Sequence, residues 1–88
     1  MISKISESTI LRVQQVLGAH AELSKDASKL LLDDDLFAAG MSSRATVGVM
    51  LGLESEFDIE FPDAMLRRDV FESIRSIANS IEQLAVIA

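Results

Sequence analysis

Apolar residues recur with the spacing of one helical face in three stretches of the chain. In the first stretch, about residues 5–18, they lie three or four positions apart. These positions are Ile10, Val13, Val16 and Leu17. Upstream serines, Ser6 among them, are candidate caps, and Gly18 is a candidate helix end. The pattern predicts a first helix over roughly residues 5–18.

The second stretch follows two small hydroxyl residues, Ser42 and Ser43, which suit a helix N-terminus, and it runs to about residue 57. Its inward row is Val49, Met50, Leu53 and Phe57. The same spacing places Val47 and Leu51 on the outer side, and it places the glycine pair at positions 48 and 52 with them. That outer side is either a bare apolar face for close approach by another protein or one side of a helix buried all round. The spacing alone does not separate the two interpretations.

The last third combines a short extended piece with helical segments. Residues 57–61 alternate apolar and polar side chains, Pro62 ends them, and Asp63 can cap one or two turns. Asp69 then opens a final helix, with Glu72 three residues later in the arrangement of a capping box. The apolar face of this helix is Phe71, Ile74, Ala78, Ile81 and Ala85, flanked by Ile77 and Leu84.

Between the first two helices, residues 21–40 lose the helical period and predict a long loop pinned by Leu31, Leu36 and Phe37. The predicted fold is therefore all-α: three main helices, a short helix after Pro62, and a long loop between helices 1 and 2. Residues 1–88 show no linker or internal repeat, so we expect a single domain.

Composition narrows the possible functions. The 88 residues contain no Cys, Trp or Tyr and a single His, which leaves no thiolate, no His pair and no usual stacking platform for bases. The formal net charge is −6, and the excess lies in residues 33–63, where Arg44 stands against eight acids. We expect no nucleic-acid partner, no signal peptide and no membrane span, hence a cytoplasmic protein.

Candidate chemistry is sparse. No nucleophile, base and charge stabiliser are grouped in the sequence, so we expect no enzyme and no catalytic residue. The sole histidine, His20, lies at a predicted helix end and is interpreted as a cap or surface residue. The acidic run Asp33, Asp34 and Asp35 is either a metal site or solvated loop charge. The spacing of a Ca²⁺ loop is missing, so we favour solvated charge and expect no metal. Ser43 is either a cap or, because a helix start favours phosphate, an attachment point.

The run from Asp33 to Ile81 resembles the acyl carrier protein family. The matching positions are Asp35-Leu36-Phe37, Gly40, Ser43, Leu53-Glu54, Glu56-Phe57, Ile59 and Phe61-Pro62-Asp63, followed by the last helix. The resemblance implies a 4′-phosphopantetheine arm joined to Ser43 by a separate phosphopantetheinyl transferase. It also implies that acyl or aminoacyl ligases and transferases are partners, that docking uses the second helix, and that the protein is a monomer.

Some positions depart from the family pattern. Ser42 replaces the Asp before the modified serine, and Arg44 replaces the Leu after it. Ala45 and Gly48 replace two acids that the family usually has on the outer face of the second helix. These departures disfavour housekeeping fatty-acid synthesis and favour a specialised carrier of acyl or aminoacyl groups. The expected docking face is Arg44, Val47, Gly48 and Leu51. The alternative is an unmodified, carrier-like adaptor that binds other proteins through the same helix.

Overall fold

The computed structural model describes residues 6–24 and 26–84 with their side chains, and the helical backbone to residue 87. Four α-helices follow in order: α1 (Glu7–His20), α2 (Ser43–Phe57), α3 (Arg68–Phe71) and α4 (Ile74–Ile87). Single 3₁₀ turns lie at Ala27–Lys29 and Asp63–Met65. The described residues contain no strand, so the all-α prediction is confirmed. None of these helices is long and apolar enough to cross a membrane.

One core joins the helices and the long loop. Its fully buried large side chains are Val13, Leu17, Leu36, Val49, Leu53, Ile74 and Ile77. They include Val49 and Leu53 of the inward row predicted for α2, whose Met50 and Phe57 are partly buried against the same core. On the face predicted for α4, Phe71, Ile74, Ala78 and Ile81 are buried, as is the flanking Ile77, because burial of an apolar stripe is what stabilises a short helix. The side chain of Ala85 lies outside the described residues.

The first helix runs two residues past its predicted end. Gly18 lies inside the helix, and a Cβ at that position would meet only the Ala27 side chain of the following 3₁₀ turn, at an ordinary 3.7 Å. The helix stops at Ala21, whose N–H donates to Leu17 O, and Glu22 then takes the left-handed conformation at φ 56°. The prediction that α1 ends at Gly18 was therefore wrong, and its N-cap is Ser6.

The single final helix predicted from Asp69 is in fact two helices. The backbone breaks at Glu72 and Ser73, where Ser73 Oγ accepts from Ser76 N at 3.1 Å and Ser76 Oγ accepts from Ser73 N at 3.2 Å. This reciprocal pair caps α4 in the way a capping box does, so the Asp69–Glu72 box predicted from the sequence does not form. The break also exposes Glu72 O, which accepts from Leu36 N of the loop at 2.8 Å.

The long loop is anchored differently from the prediction at one position. Leu36 is fully buried and Phe37 packs against the core, as expected, but Leu31 is 70% exposed and Leu30 is buried instead. The reason is a turn in which Leu31 N donates to Asp34 Oδ2 at 2.9 Å and Asp34 N donates to Leu31 O. That turn directs the Leu31 side chain into solvent.

Candidate functional site

The two serines at the start of α2 have different roles. Ser42 is the N-cap: its Oγ accepts from Ala45 N at 3.0 Å, and its carbonyl accepts from Thr46 Oγ1 at 2.8 Å. Ser43 is the first helical residue, and its exposed hydroxyl makes no hydrogen bond to the described residues. The cap is therefore provided by Ser42, and the Ser43 oxygen is free to carry a substituent.

A tight turn before α2 sets the position of these serines. The carboxylate of Asp35 accepts from Phe37 N at 2.9 Å and from Ala38 N at 3.3 Å. Gly40 then adopts φ 118°, where a Cβ would also lie 3.2 Å from Ser24 N, so only glycine suits the site. Met41 is buried two residues before Ser43. The acid-Leu-Phe-x-x-Gly segment thus brings the chain over the core and into the first turn of α2.

The first turn of α2 has the properties that suit a phosphate ester. The backbone N–H groups of Ser43 and Arg44 donate to no described residue, as is usual in the first turn of a helix. Free N–H groups at a helix start, together with the positive end of the macrodipole, favour a phosphate. The residues present therefore fit a phosphodiester on the Ser43 hydroxyl.

An apolar groove of about 410 Å³ begins at Ser43 and lies between α2 and α3. We call it the arm groove; it is lined by Phe37, Ser43, Thr46, Val47, Met50, Leu66, Arg67, Arg68 and Phe71. The guanidinium carbon of Arg68 lies 3.9 Å from the centre of the Phe37 ring, a cation–π contact that forms one wall. The sequence interpretation treated Phe37 only as a loop anchor and gave Arg68 no role, because the contact joins residues 31 positions apart.

The outer side of α2 is exposed at Arg44, Val47 and Leu51 but packs on α1 at Gly52. Val47 is 53% exposed, Leu51 is 55% exposed and Arg44 is exposed, so the helix is not buried all round. A Cβ on Gly48 would meet only His20 Cβ, at an ordinary 3.7 Å. A Cβ on Gly52, in contrast, would lie 2.8 Å from His20 Cδ2 and 2.9 Å from Val16 Cγ1. Gly52 therefore serves the packing of α1 on α2, and neither of the two interpretations left open by the spacing holds along the whole helix.

The other candidates from the sequence take structural roles. His20 is the last residue of α1 and packs over Gly52. Asp33 pairs with Arg75 at 2.7 Å, and this hydrogen bond lowers the pKa of the Asp33 carboxyl. Asp34 and Asp35 each accept from backbone N–H groups. The run thus lies at the surface in the loop, as the interpretation of solvated loop charge expects, and its carboxylates also accept hydrogen bonds that hold the loop in place. Across the part of the chain described, no three His, Asp or Glu residues are grouped to hold a metal ion.

Fold and site together define a small helical domain that presents a free serine at a helix start beside an apolar groove. The family model that matches is the phosphopantetheine attachment site, over residues 12–81. The chain belongs to this family, which confirms the resemblance noted in the sequence. It is a carrier protein, and its cofactor is 4′-phosphopantetheine.

Curated relatives and solved structures agree with this assignment. An aminoacyl carrier protein of Agrobacterium fabrum is 40% identical over 70 residues, which are 80% of this chain and 84% of that protein. D-alanyl carrier proteins of Streptococcus pyogenes are 36% identical over 61 residues, 68% of this chain and 76% of theirs. An Agrobacterium tumefaciens carrier protein, solved with an engineered Bradyrhizobium japonicum glycine:[carrier protein] ligase and ATP, is 37% identical. The match covers 85% of this chain and 97% of that one, with a TM-score of 0.82.

Proposed function

We propose that Ser43 carries the 4′-phosphopantetheine arm and that this chain presents an amino acid on it. The observation that carries the assignment is the free Ser43 hydroxyl in the first turn of α2, next to a serine that already caps the helix. A separate transferase joins that hydroxyl to the arm through a phosphodiester. When attached, the arm supplies a thiol that holds the cargo as a thioester, so a chain without Cys can carry one.

The residues of this chain bind the phosphodiester and orient the arm. The first-turn N–H groups of α2 favour the phosphodiester charge, and the arm groove provides apolar side chains next to it. No described residue supplies a nucleophile paired with a base, which supports a protein that carries and presents without catalysing. An aminoacyl rather than fatty-acyl cargo is supported by the named relatives and by Arg44, which replaces an apolar residue of the family pattern.

A cytoplasmic location of the protein stays a prediction.

The proposal is tested by intact mass after co-expression with a phosphopantetheinyl transferase of broad specificity. We expect wild type and Ser42→Ala to gain the mass of the arm, and Ser43→Ala to gain none. Ser43→Ala should unfold like wild type, since Ser42 remains the cap, whereas Ser42→Ala should lose about 1 kcal/mol of stability. Modification of Ser43→Ala would place the arm on Ser42. An unmodified wild type would favour the adaptor alternative.

The cargo is tested on the modified protein with the Bradyrhizobium japonicum glycine:[carrier protein] ligase, ATP and glycine. We expect a further mass increase equal to one glycyl group, removed by hydroxylamine as a thioester is. Loading of malonyl but not glycyl groups by the corresponding enzymes would contradict the aminoacyl part of the proposal and leave Ser43 as the attachment point.

A further inference from the structure

Two arginines of the described chain stack on aromatic rings, and they differ in whether an anion accompanies the ring. The guanidinium carbon of Arg12 lies 4.2 Å from the centre of the Phe57 ring, and Nε of the same group donates to the Glu56 carboxylate at 2.8 Å. Arg68 stacks on Phe37 in the same way, at 3.9 Å, but it forms no ion pair or hydrogen bond with the side chain of any described acid. The Arg68 arrangement is thus the Arg12 arrangement without its carboxylate.

The acids that lie nearest to Arg68 and Phe37 in the chain have other partners. Asp69 pairs with the neighbouring Arg67 at 3.1 Å. The Asp35 carboxylate accepts from two backbone N–H groups of its own turn, at 2.9 and 3.3 Å. The protein therefore holds the Arg68 cation in place and spends its nearby carboxylates elsewhere.

The position at which Arg68 is held is the arm groove, which begins at Ser43. Stacking on the half-buried Phe37 ring restricts the guanidinium before anything binds to it. A guanidinium has five N–H donors in its plane, and in Arg68 none of them has an acceptor within the described chain. Ser43 and Arg68 line the same cavity of about 410 Å³. An anion attached to the Ser43 oxygen would therefore share this groove with a preorganised, unpaired cation.

An arm on Ser43 would supply such an anion. A phosphodiester has one negative charge, shared by two oxygens that are free to accept hydrogen bonds. The planar fork of a guanidinium suits phosphate oxygens better than an ammonium group does. Arg67 also borders the groove, but its Nε is already bonded to Asp69. Arg68 is therefore the groove residue best suited to the phosphodiester.

We propose that Arg68, held on the Phe37 ring, pairs with the phosphodiester on Ser43 and turns the first part of the arm into the arm groove. The inference rests on Ser43 being the attachment point, and it adds the residue that orients the arm. Because Arg68 is exposed, the contact is weak and sensitive to salt. It holds the arm at rest and releases it at little cost when an enzyme takes the thiol end.

The test compares thermal unfolding of the apo and holo forms, because only the holo form carries the phosphodiester. We expect holo wild type to unfold roughly 2–5 °C above apo wild type, as one exposed charge pair gives in a domain of this length. Arg68→Gln should lose most of this difference, and added salt should reduce it in wild type. Loss of the Phe37 contact lowers both forms of the variant, so the difference between the forms isolates the phosphodiester. Arm attachment is checked by intact mass first.

Arg12→Gln is the matched control, since it makes the same charge change and removes the same kind of ring contact at the other end of α2. It should destabilise the apo and holo forms equally and leave the difference between them at the wild-type value. Arg44→Gln removes the cation that follows Ser43 in sequence but is not part of the arm groove. It should reduce the difference by less than half.

A second measurement is independent of stability. The phosphorus NMR resonance of the holo protein should differ between wild type and Arg68→Gln, and it should agree between wild type and Arg12→Gln. In wild type, the Arg68 Nε–H resonance should move between the apo and holo forms. The Arg67 Nε–H resonance should move less, because that group is already bonded to Asp69.

Two results would overturn the inference. One is an Arg68→Gln variant that keeps both the wild-type difference between its apo and holo forms and the wild-type phosphorus resonance. The other is an equal loss in Arg44→Gln and Arg68→Gln, which would assign the effect to positive charge near the helix start in general. In both results the mass of the arm is still present. A wild type that gains no arm would instead overturn the proposed function, and this inference with it.

Discussion

At the first turn of α2 the Ser43 hydroxyl and the Arg44 guanidinium contact no described partner, whereas at its last turn Glu54 and Glu56 are both engaged. We call Ser43, Arg44 and Val47 the arm end, and Gly52, Glu54, Glu56 and Phe57 the packed end. The packed end is held by Arg12, which pairs with Glu56 and places its guanidinium carbon 4.2 Å from the centre of the Phe57 ring. One helix thus leaves its functional groups free at one end because the other end fixes it to α1.

The arm end is where partner choice should change most. Arg44→Leu with Gly48→Glu replaces the base by an apolar residue and adds an acid at a position where a Cβ meets only His20 Cβ at 3.7 Å. A docking groove lined with Lys and Arg would then be attracted rather than repelled. We expect malonyl transfer from fatty-acid-synthesis enzymes onto the holo form to rise roughly tenfold at low salt.

The check is the rate at two ionic strengths for wild type and the double variant. Efficient transfer to wild type that the double change leaves untouched would mean that the arm end does not select partners.

The packed end should be the more sensitive of the two to loss of a charge. Glu54→Ala leaves the N–H of the buried Phe61 without its acceptor, so we expect a loss of about 1–3 kcal/mol in the free energy of unfolding. Arg44→Ala at the arm end should change it by no more than about 0.5 kcal/mol. Urea unfolding of both variants measures the contrast, and equal losses would refute the division of α2 into two ends.

Gly48 and Gly52 allow the same comparison between the two ends of α2 with one kind of substitution. Gly48→Ala should stabilise by up to about 1 kcal/mol, the usual gain in helix propensity. Gly52→Ala gains the same propensity but drives a methyl group against the buried Val16 side chain at 2.9 Å, where overpacking costs about 1–3 kcal/mol. We expect thermal unfolding temperatures to move in opposite directions. A stabilised Gly52→Ala would show that α1 can move away at little cost.

The smallest effect is expected away from α2, in the acidic loop. Asp33→Asn, Asp34→Asn and Asp35→Asn together should leave attachment of the arm intact, because an amide oxygen can still accept the backbone N–H bonds. The Arg75 hydrogen bond lowers the Asp33 pKa below 3.8, so its stabilisation is present above that pH and is lost as pH falls through the folded-state pKa.

The stability difference between wild type and Asp33→Asn, followed by thermal unfolding from pH 7 downward, should therefore shrink at the acidic end. Loss of arm attachment in the triple variant together with loss of a bound divalent ion would reveal a metal site in this loop.

Much of the fold could be predicted because it depends on local patterns. The buried faces of α1, α2 and α4 follow from apolar spacing, and the importance of Asp35, Leu36 and Gly40 before α2 follows from the resemblance to a known family. Ser43 could be singled out because hydroxyl residues precede an apolar run and because the surrounding motif resembles a known family. These features are readable because each depends on residues a few positions apart.

The tertiary structure decided what distant residues do to one another. The break before α4 leaves Glu72 O to accept from Leu36 N of the loop, 36 positions earlier in the chain, a contact that no local spacing indicates. Gly52 differs from Gly48 only because Val16 and His20 of α1 cross it. The arm groove likewise needs Phe37 and Arg68 to meet from separate segments. The sequence by itself determined the helices and the candidate serine; only packing determined which side chains remain free around it, since that depends on neighbours brought together by the fold.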